Sequence, residues 1–496
     1  MAEPYYITTA ISYPNGAPHI GHAYEAIAAD VIARFQRSHG RDVRFQTGTD
    51  EHGLKMVQAA RDAGLEPREY ASKMSSVFQE MCDILNVAYD RFVRTSEPEH
   101  HRASQSIWSA MEAKGDLYLG RYEGWYSVRD EAFYDESELR DGEGEEKLSP
   151  QGSPVEWTAE ESWFFKLSAY QQPLLDHYAA NPGFIQPDTR RNEVLRFVEG
   201  GLSDLSISRT SFDWGVAVPG SPDHVMYVWL DALTNYLTGL GYPDETDLFG
   251  RYWPADVHLI GKDVVRFHAV YWPAFLMSAG IALPKMIYGH GFLLASGEKM
   301  SKSVGNVLDP FPLAERFGVD ALRYFLMREV PFGQDGSCSA EGIVARANAE
   351  LANSFGNLAQ RSLSMIFKNL GGIIPAPGEA AEDVELLATV TGAVDTEIPE
   401  AFERFAFSHG LEAWLKAVFA CNAYVDTQAP WALRKTDPVR MAAVLGTVAQ
   451  AVRRLAEAIA PVTPASAERL IALLDSGRDG QPIEQPVPIF PRLELD

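Results

Sequence analysis

Residues 4–50 read as strand, turn, helix and strand, and that succession leaves few folds open. The run "YYITTAI" is rich in β-formers and ends at the turn-formers of "SYPNGAP". Ala23, Ile27, Ala28, Val31, Ile32 and Phe35 then recur at helical spacing, and after "SHGR" the run "DVRFQTGT" is again strand-like. Two strands joined through a helix lie parallel in one sheet, and a parallel sheet needs cover on both faces. The predicted fold class is therefore α/β, with a doubly wound, Rossmann-like parallel sheet. Asp50, Glu51 and His52 fall at the carboxyl end of the second strand, which is where sheets of this kind bind ligands.

Changes of texture divide the rest of the chain. At roughly 150 residues per domain, 496 residues imply about three domains. From residue 116, short aromatic-rich segments ("LYLGRYEGWYSVRDEAFY") lead through an acidic loop ("DESELRDGEGEEKLSPQG") to "VEWTAEESWFFKLS". They predict a β-containing insertion over 116–224. It splits the sheet domain into halves at 1–115 and 225–298, because strand-like texture resumes at "HVMYVWLDALTNY" and "ADVHLIGKDVVRFHAVYWPAFL". The stretch "LLASGEKMSKSVGNVLDP" is polar, basic and punctuated by glycine, which predicts a mobile surface loop leading into a segment over 299–345. From 346 to 496 the pattern is helical, interrupted by "NLGGIIPAPGEAAED".

A formal net charge of -25 discourages any general attraction to nucleic acid and leaves room only for a local basic track. Cys82, Cys338 and Cys421 lie far apart and form no CxxC pair, which argues against a disulfide framework and against a cysteine-rich zinc site. No apolar stretch approaches the roughly 20 residues that span a bilayer, and "MAEPYY" has no signal-like pattern. The expectation is a cytoplasmic protein with no membrane partner.

Two short motifs carry chemistry. In "YPNGAPHIGHAYEAIAAD" a glycine-containing loop enters a helix, whose N-terminus offers backbone N–H groups and a positive dipole end to an anion. His19 and His22 could add ring donors to the same phosphate, and Gly21 would let a base or ribose approach the backbone. A pair of ordinary helix-start histidines accounts for the local sequence equally well. In "KMSKS", Lys299 and Lys302 suit a pyrophosphate that gains charge during a reaction; a solvated pair of lysines is the plain alternative.

"HIGH" after the first strand, "KMSKS" about 280 residues later and a helical tail together resemble a class I aminoacyl-tRNA synthetase. Within that class the chain resembles a methionyl-tRNA synthetase, from "AISYPNGAPHIGHAYE" through "TGTDEHG", "VMYVWLDALTNY", "IGKDVVRFHAVYWPAF" and "KMSKSVGNV" to "PWALRKTDP". The spacing leaves little room for the large editing insertion of the isoleucine, valine and leucine enzymes. The resemblance implies a catalytic domain split by an inserted connective domain, a KMSKS loop with a stem-contact region, and an all-α anticodon-binding bundle. It implies His19, His22, Lys299 and Lys302 as catalytic groups, and Asn15, His19, Gly21, His22, Lys299, Ser301 and Lys302 as the ATP site. Ala10, Ile11, Tyr13, Trp229, Ala232, Tyr236, Val264 and His268 would line a methionine pocket, with Asp50 on the substrate ammonium and His268 expected as a donor to the sulfur. Arg209 would organise the site. Without the resemblance, Trp229 and Tyr236 also read as core packing.

For the helical tail, 13 lysine and arginine residues against 19 aspartate and glutamate residues exclude a basic field. Recognition of RNA would rest on a few placed groups. The resemblance names Asn357 and Arg361 as base readers and Pro430–Trp431 as the stacking element; a Pro-Trp at a helix start is otherwise a core anchor. The implied partners are L-methionine, ATP with Mg2+, and tRNA(Met) including the initiator, acting on a monomer. Two rivals share parts of this pattern. A silent tRNA-binding paralogue should have lost a motif histidine or lysine. A small-molecule nucleotidyltransferase of the HxGH type would not need the helical tail.

Many relatives carry zinc knuckles in the insertion, but "GWYSVRDEAFYDESEL" has no cysteine. Metal analysis of the purified protein is expected to find no stoichiometric zinc, since a structural site normally takes four Cys or His ligands; one tightly held zinc per chain would overturn that.

Overall fold

The computed structural model describes residues 2–495 apart from 128–131, 143, 145, 227, 245, 296–297, 300–307 and 479. The chain forms two compact units, one of residues 1–18, 40–83 and 88–290, the other of residues 19–39, 84–87 and 291–496. No helix among the described residues is long and apolar enough to cross a membrane.

In chain order the leading elements are strand β1 (Pro4–Thr9), helix α1 (Ile20–Ser38) and strand β2 (Asp42–Thr49). Four further strands complete the sheet of the first unit: β3 (Arg91–Arg94), β4 (Ile185–Gln186), β5 (Val257–Gly261) and β6 (Ile287–His290). Their order is β3-β2-β1-β5-β6-β4, and every neighbouring pair is parallel. Residues Tyr5–Thr9 of β1 are all buried, as a strand covered on both faces must be. Burial along the strand is therefore continuous rather than alternating, Thr8 and Thr9 included. Tyr6 spends its hydroxyl on the Gln46 side chain (2.7 Å), so its polar tip is satisfied inside the core. At Gly48 a Cβ would lie 2.1 Å from the Val93 carbonyl oxygen, so only glycine lets β2 and β3 close up there.

A smaller antiparallel sheet is built on the long pair Leu117–Ser127 and Glu156–Phe165, with Leu205–Ser206 and Ala132–Tyr134 on its edges. Two stretches differ from the strand-like reading. In "HVMYVWLDALTNY" only the residues up to Met226 are strand (Ser221–Met226), and they join a separate antiparallel sheet. Helix α2 (Pro98–Ala113) precedes this region in the chain, and helix α3 (Val228–Thr238) follows the strand. In "ADVHLIGKDVVRFHAVYWPAFL" β5 ends at Gly261 and the chain continues as helical turns to Ala279. The cause is burial: residues 230–238 are buried all round, so no polar face marks the helical period. Ile185–Gln186, inside the stretch read as insertion, pairs with β6 at the edge of the main sheet.

The second unit is helical. Its helix α4 (Val319–Glu329) is buried from Asp320 to Met327, and it is followed by α5 (Asn357–Asn369), α6 (Ala381–Gly392), α7 (Phe407–Gln428), α8 (Pro430–Thr436), α9 (Pro438–Ile459), against which the other five pack, and α10 (Pro464–Arg478). The joint between α1 and this bundle is ionic. Arg323 of α4 and Asp30 of α1 are fully buried and meet at 2.6 Å. The guanidinium also donates to the carbonyls of Leu85, Asn86, Pro461 and Val462 at 2.9–3.2 Å, so all five of its donor positions are used.

Removing one partner of such a pair leaves a charge stranded in the interior. Asp30→Ala is expected to cost about 3–5 kcal/mol, read as a fall in the urea midpoint for the second unit, whereas Asp62→Ala, at an exposed position, should leave it within experimental error.

Candidate functional site

The strand order reverses between β1 and β5, and both strands end at one edge of the sheet. Open parallel sheets bind ligands at such a crevice because there alone the backbone ends are uncovered. The chain leaving β1 stays paired beyond the sheet. Ala10 donates its N–H to the Leu259 carbonyl (3.0 Å), Ser12 to Gly48 (2.9 Å), and Asp50 in turn to Ser12 (2.9 Å). These bonds put Ala10, Ile11, Tyr13 and Asp50 on one lip. Asp50 is only 6% exposed. Tyr13 is fixed through its hydroxyl, which donates to the His52 carbonyl (2.6 Å) and accepts from the Met56 N–H (3.2 Å).

Helix α3 supplies the facing wall. Trp229, Ala232 and Tyr236 are three and four residues apart and so share a face. Trp229 stacks on Phe267 with centroids 3.4 Å apart and planes at 7°. Ala10, Trp229 and Val264 pack against the buried cluster that contains Tyr236. His268 is 3% exposed, and both its ring nitrogens are engaged. Nδ1 lies 2.9 Å from the Val264 carbonyl and must carry the proton, so Nε2 accepts from the Tyr236 hydroxyl at 2.6 Å. The expected donor to sulfur is thus committed to the protein itself, because a carbonyl fixes the tautomer. Burial pushes the imidazole down to about 4, against a smaller opposing effect of the Val264 carbonyl.

Next to these residues lie Asp231 and His100, which the sequence did not single out. Asp231, a fully buried carboxylate on α3, receives His52 Nδ1 on one oxygen and His100 Nε2 on the other, both at 2.6 Å. Burial alone would raise its titration, but the two imidazoles hold it below the ordinary carboxylate value. His52 adjoins the lip and His100 lies on α2, so one carboxylate ties the lip, α3 and α2 together. Glu51 is also fully buried and takes Arg94 Nε (2.6 Å), Ser75 and Ser96; burial opposes its ionisation, and these donors outweigh it to lower its titration. A lone acid inside the apolar run "VWLDALTNY" was the available signal for Asp231. Arg209, 2% exposed, donates to the Ser206 hydroxyl and the Ser208 carbonyl and stands 5.7 Å over the Tyr126 ring. In the same part of the chain Trp125 meets Trp157 edge-on at 5.5 Å, and no group of three or more His, Cys, Asp or Glu among the described residues could hold a metal.

In the second unit His19 is the N-cap of α1. Its Nδ1 accepts from the Gly21 N–H and His22 Nδ1 accepts from the His19 N–H, both at 3.1 Å, and the rings stack at 3.8 Å. A neutral ring at either position therefore carries its proton on Nε2. Gly21 is required by this arrangement, since a Cβ there would lie 2.9 Å from the His19 ring. The Ile20 N–H donates to the Leu308 carbonyl (2.9 Å), so the chain five residues past the KMSKS motif is bound to the start of α1. Lys299 pairs its backbone with Leu294 in a short antiparallel ladder; Ser301 and Lys302 lie outside the described residues. Asn15 remains in the first unit, two residues past Tyr13. Elsewhere in the second unit Trp431 is 47% exposed, with the Arg361 guanidinium 5.4 Å from its ring. Asn357 lies one turn before Arg361 on α5, both are exposed, and Pro430 is buried.

Two families match the sequence. The one described as tRNA synthetases class I (M) covers residues 5–363, and the anticodon binding domain of methionyl tRNA ligase covers residues 374–486. The methionine--tRNA ligase of Brucella suis is 57% identical over 99% of this chain and 98% of its own length. That of Mycobacterium tuberculosis is 56% identical over the same shares. Among solved structures, Mycobacterium tuberculosis methionyl-tRNA synthetase in complex with methionyl-adenylate superposes with a TM-score of 0.95 at 56% identity, covering 99% of this chain and 100% of that one. Its apo form gives 0.89 at 51% identity, with coverage of 100% and 99%.

The state of His268 has a consequence for stability. An unfolded imidazole titrates near 6.5 and this one at about 4, so between those values the unfolded chain holds a proton that the folded one refuses. Its contribution is complete above pH 6.5 and is lost as pH falls toward 4, with a slope of up to about 1.4 kcal/mol per pH unit. Urea midpoints measured at pH 7, 5.5 and 4.5 should fall less steeply for His268→Gln than for the unaltered protein.

Proposed function

Because the chain belongs to the methionyl-tRNA synthetase family of class I aminoacyl-tRNA synthetases, we propose that it activates L-methionine with MgATP and transfers it to the 3′ end of tRNA(Met), the initiator included. The observation that carries this reading is the lip at the β1–β5 crevice, where the buried carboxylate Asp50 is tied to the segment leaving β1 and Ala10 of that segment packs with Trp229 and Val264 against the cluster that contains Tyr236. A thioether side chain is apolar and polarizable, so aromatic walls hold it without a charge. The substrate ammonium is the only cation that needs a partner, and Asp50 supplies it.

The methionine carboxylate attacks the α-phosphorus of ATP and pyrophosphate leaves. The nucleophile is already ionised, so position and charge suffice and no general base is needed. His19 and His22 present Nε2–H donors to the triphosphate, with Asn15 and Gly21 shaping the nucleotide seat. Lys299, Ser301 and Lys302 receive the charge that builds on the departing pyrophosphate. A terminal adenosine hydroxyl of the tRNA then attacks the adenylate carbonyl, giving methionyl-tRNA and AMP. Arg209, held inside the insertion, keeps that region in shape. Asn357, Arg361 and Trp431 read splayed anticodon bases by edge contacts and stacking. In this reading 116–224 is the connective domain, 346–496 the anticodon domain, and the enzyme works as a monomer in the cytoplasm, where buried free thiols such as Cys82, Cys338 and Cys421 stay reduced.

ATP–pyrophosphate exchange measured with each of the twenty amino acids should depend on methionine alone. Lys302→Ala should lower that exchange by about 10²-fold with methionine binding nearly intact, the mark of a group that acts in the transition state. Exchange driven better by another amino acid, or none at all, would remove the substrate assignment.

A further inference from the structure

The platform on which Trp431 is presented has its own support. α7 ends at Gln428, and Ala429 then takes the left-handed conformation, φ 45° and ψ 59°, which residues with a Cβ adopt reluctantly. Pro430 restarts the chain as α8, so Trp431 emerges at a sharp reversal. With its side chain half in solvent, the packing of Trp431 alone does not hold it. Behind the reversal, Gln428 Oε1 accepts from Arg440 Nη2 at 2.8 Å. Arg440 is itself fixed. Its Nη1 pairs with the fully buried Asp383 of α6, and its N–H donates to Asp437 (2.9 Å) at the start of α9. Asp383 also takes the Tyr424 hydroxyl and the Ala380 N–H (3.1 Å). Burial opposes its ionisation, and the bonds from Arg440 and Tyr424 reverse that, so the carboxylate titrates below its ordinary value. A planar guanidinium with one edge locked on Asp383 has its other edge fixed in direction. α6, α7 and α9 thus converge on one side chain, and Gln428 carries the position of that side chain to the turn.

We propose that Gln428 and Arg440 are positioning residues for tRNA recognition: they hold the α7–α8 reversal so that the Trp431 ring is already oriented when an unstacked base arrives. The proposal rests on the reading of Trp431 as the anticodon-stacking group. Pre-ordering the ring removes part of the entropic cost of binding, so its loss should raise the KM for tRNA and leave chemistry at the methionine pocket untouched.

The test uses the full chain and three variants. Gln428→Leu cannot accept from Arg440 and should raise the KM for tRNA(Met) about tenfold, a part of what one stacked base contributes, with methionine-dependent exchange and thermal midpoint unchanged. Gln428→Glu keeps an acceptor oxygen and should restore most of the wild-type KM. Trp431→Ala should raise the KM at least as far as Gln428→Leu. A normal KM for Gln428→Leu beside a raised one for Trp431→Ala overturns the positioning role and leaves stacking intact. A normal KM for Trp431→Ala removes the stacking reading and the proposal with it. Loss of exchange in Gln428→Leu, or no rescue by Gln428→Glu, makes Gln428 a structural residue only.

Discussion

Open parallel sheets bind ligands at their carboxyl edge, and here the strand order reverses between β1 and β5. The rest of the first unit follows from this constraint. β1 and β2 have to stay paired past the sheet for Ala10, Tyr13 and Asp50 to share a lip, which is what the Ser12 bonds accomplish. α3 has to be held against that lip, and Asp231 holds it by engaging one imidazole from the lip and another from α2. An acid buried in an apolar helix would be costly alone; shared between two rings, it fixes three elements at once.

Consecutive acidic residues serve opposite ends at this edge. Glu51 is saturated by Arg94 and serine hydroxyls and points into the fold. Asp50, its neighbour, is 6% exposed and donates its N–H to the Ser12 carbonyl. Alternation along an extended chain sends adjacent side chains to opposite sides, so the two carboxylates meet different surroundings. The imidazoles are engaged as well: His268 and His52 through side-chain partners, and His19 and His22 through the backbone N–H groups that their Nδ1 atoms accept from at the start of α1.

Much of this was legible from residue types. The β1–α1–β2 unit announced itself because a strand, a turn and a helix differ in period, and the anticodon-type groups Arg361 and Trp431 do meet in space. The helix at 228–238 did not, because burial on all sides erases the amphipathic stripe by which helices are recognised. Neither did the Asp231 node, whose three members lie up to 179 residues apart in the chain. Pair contacts of that range leave no local pattern. The need for space at Gly21 was legible, and a Cβ there would lie 2.9 Å from the His19 ring.

The stacked pair at the start of α1 also separates two duties within one side chain. The δ-nitrogen of each ring is consumed in ordering the backbone, which puts the proton of a neutral ring on the ε-nitrogen. An asparagine amide can imitate the first but is too short for the second; a glutamine amide reaches the second and misplaces the first. Neither amide is an isostere of the whole ring here, so what imidazole brings to both positions is its length and its two opposed nitrogens together, quite apart from its acidity.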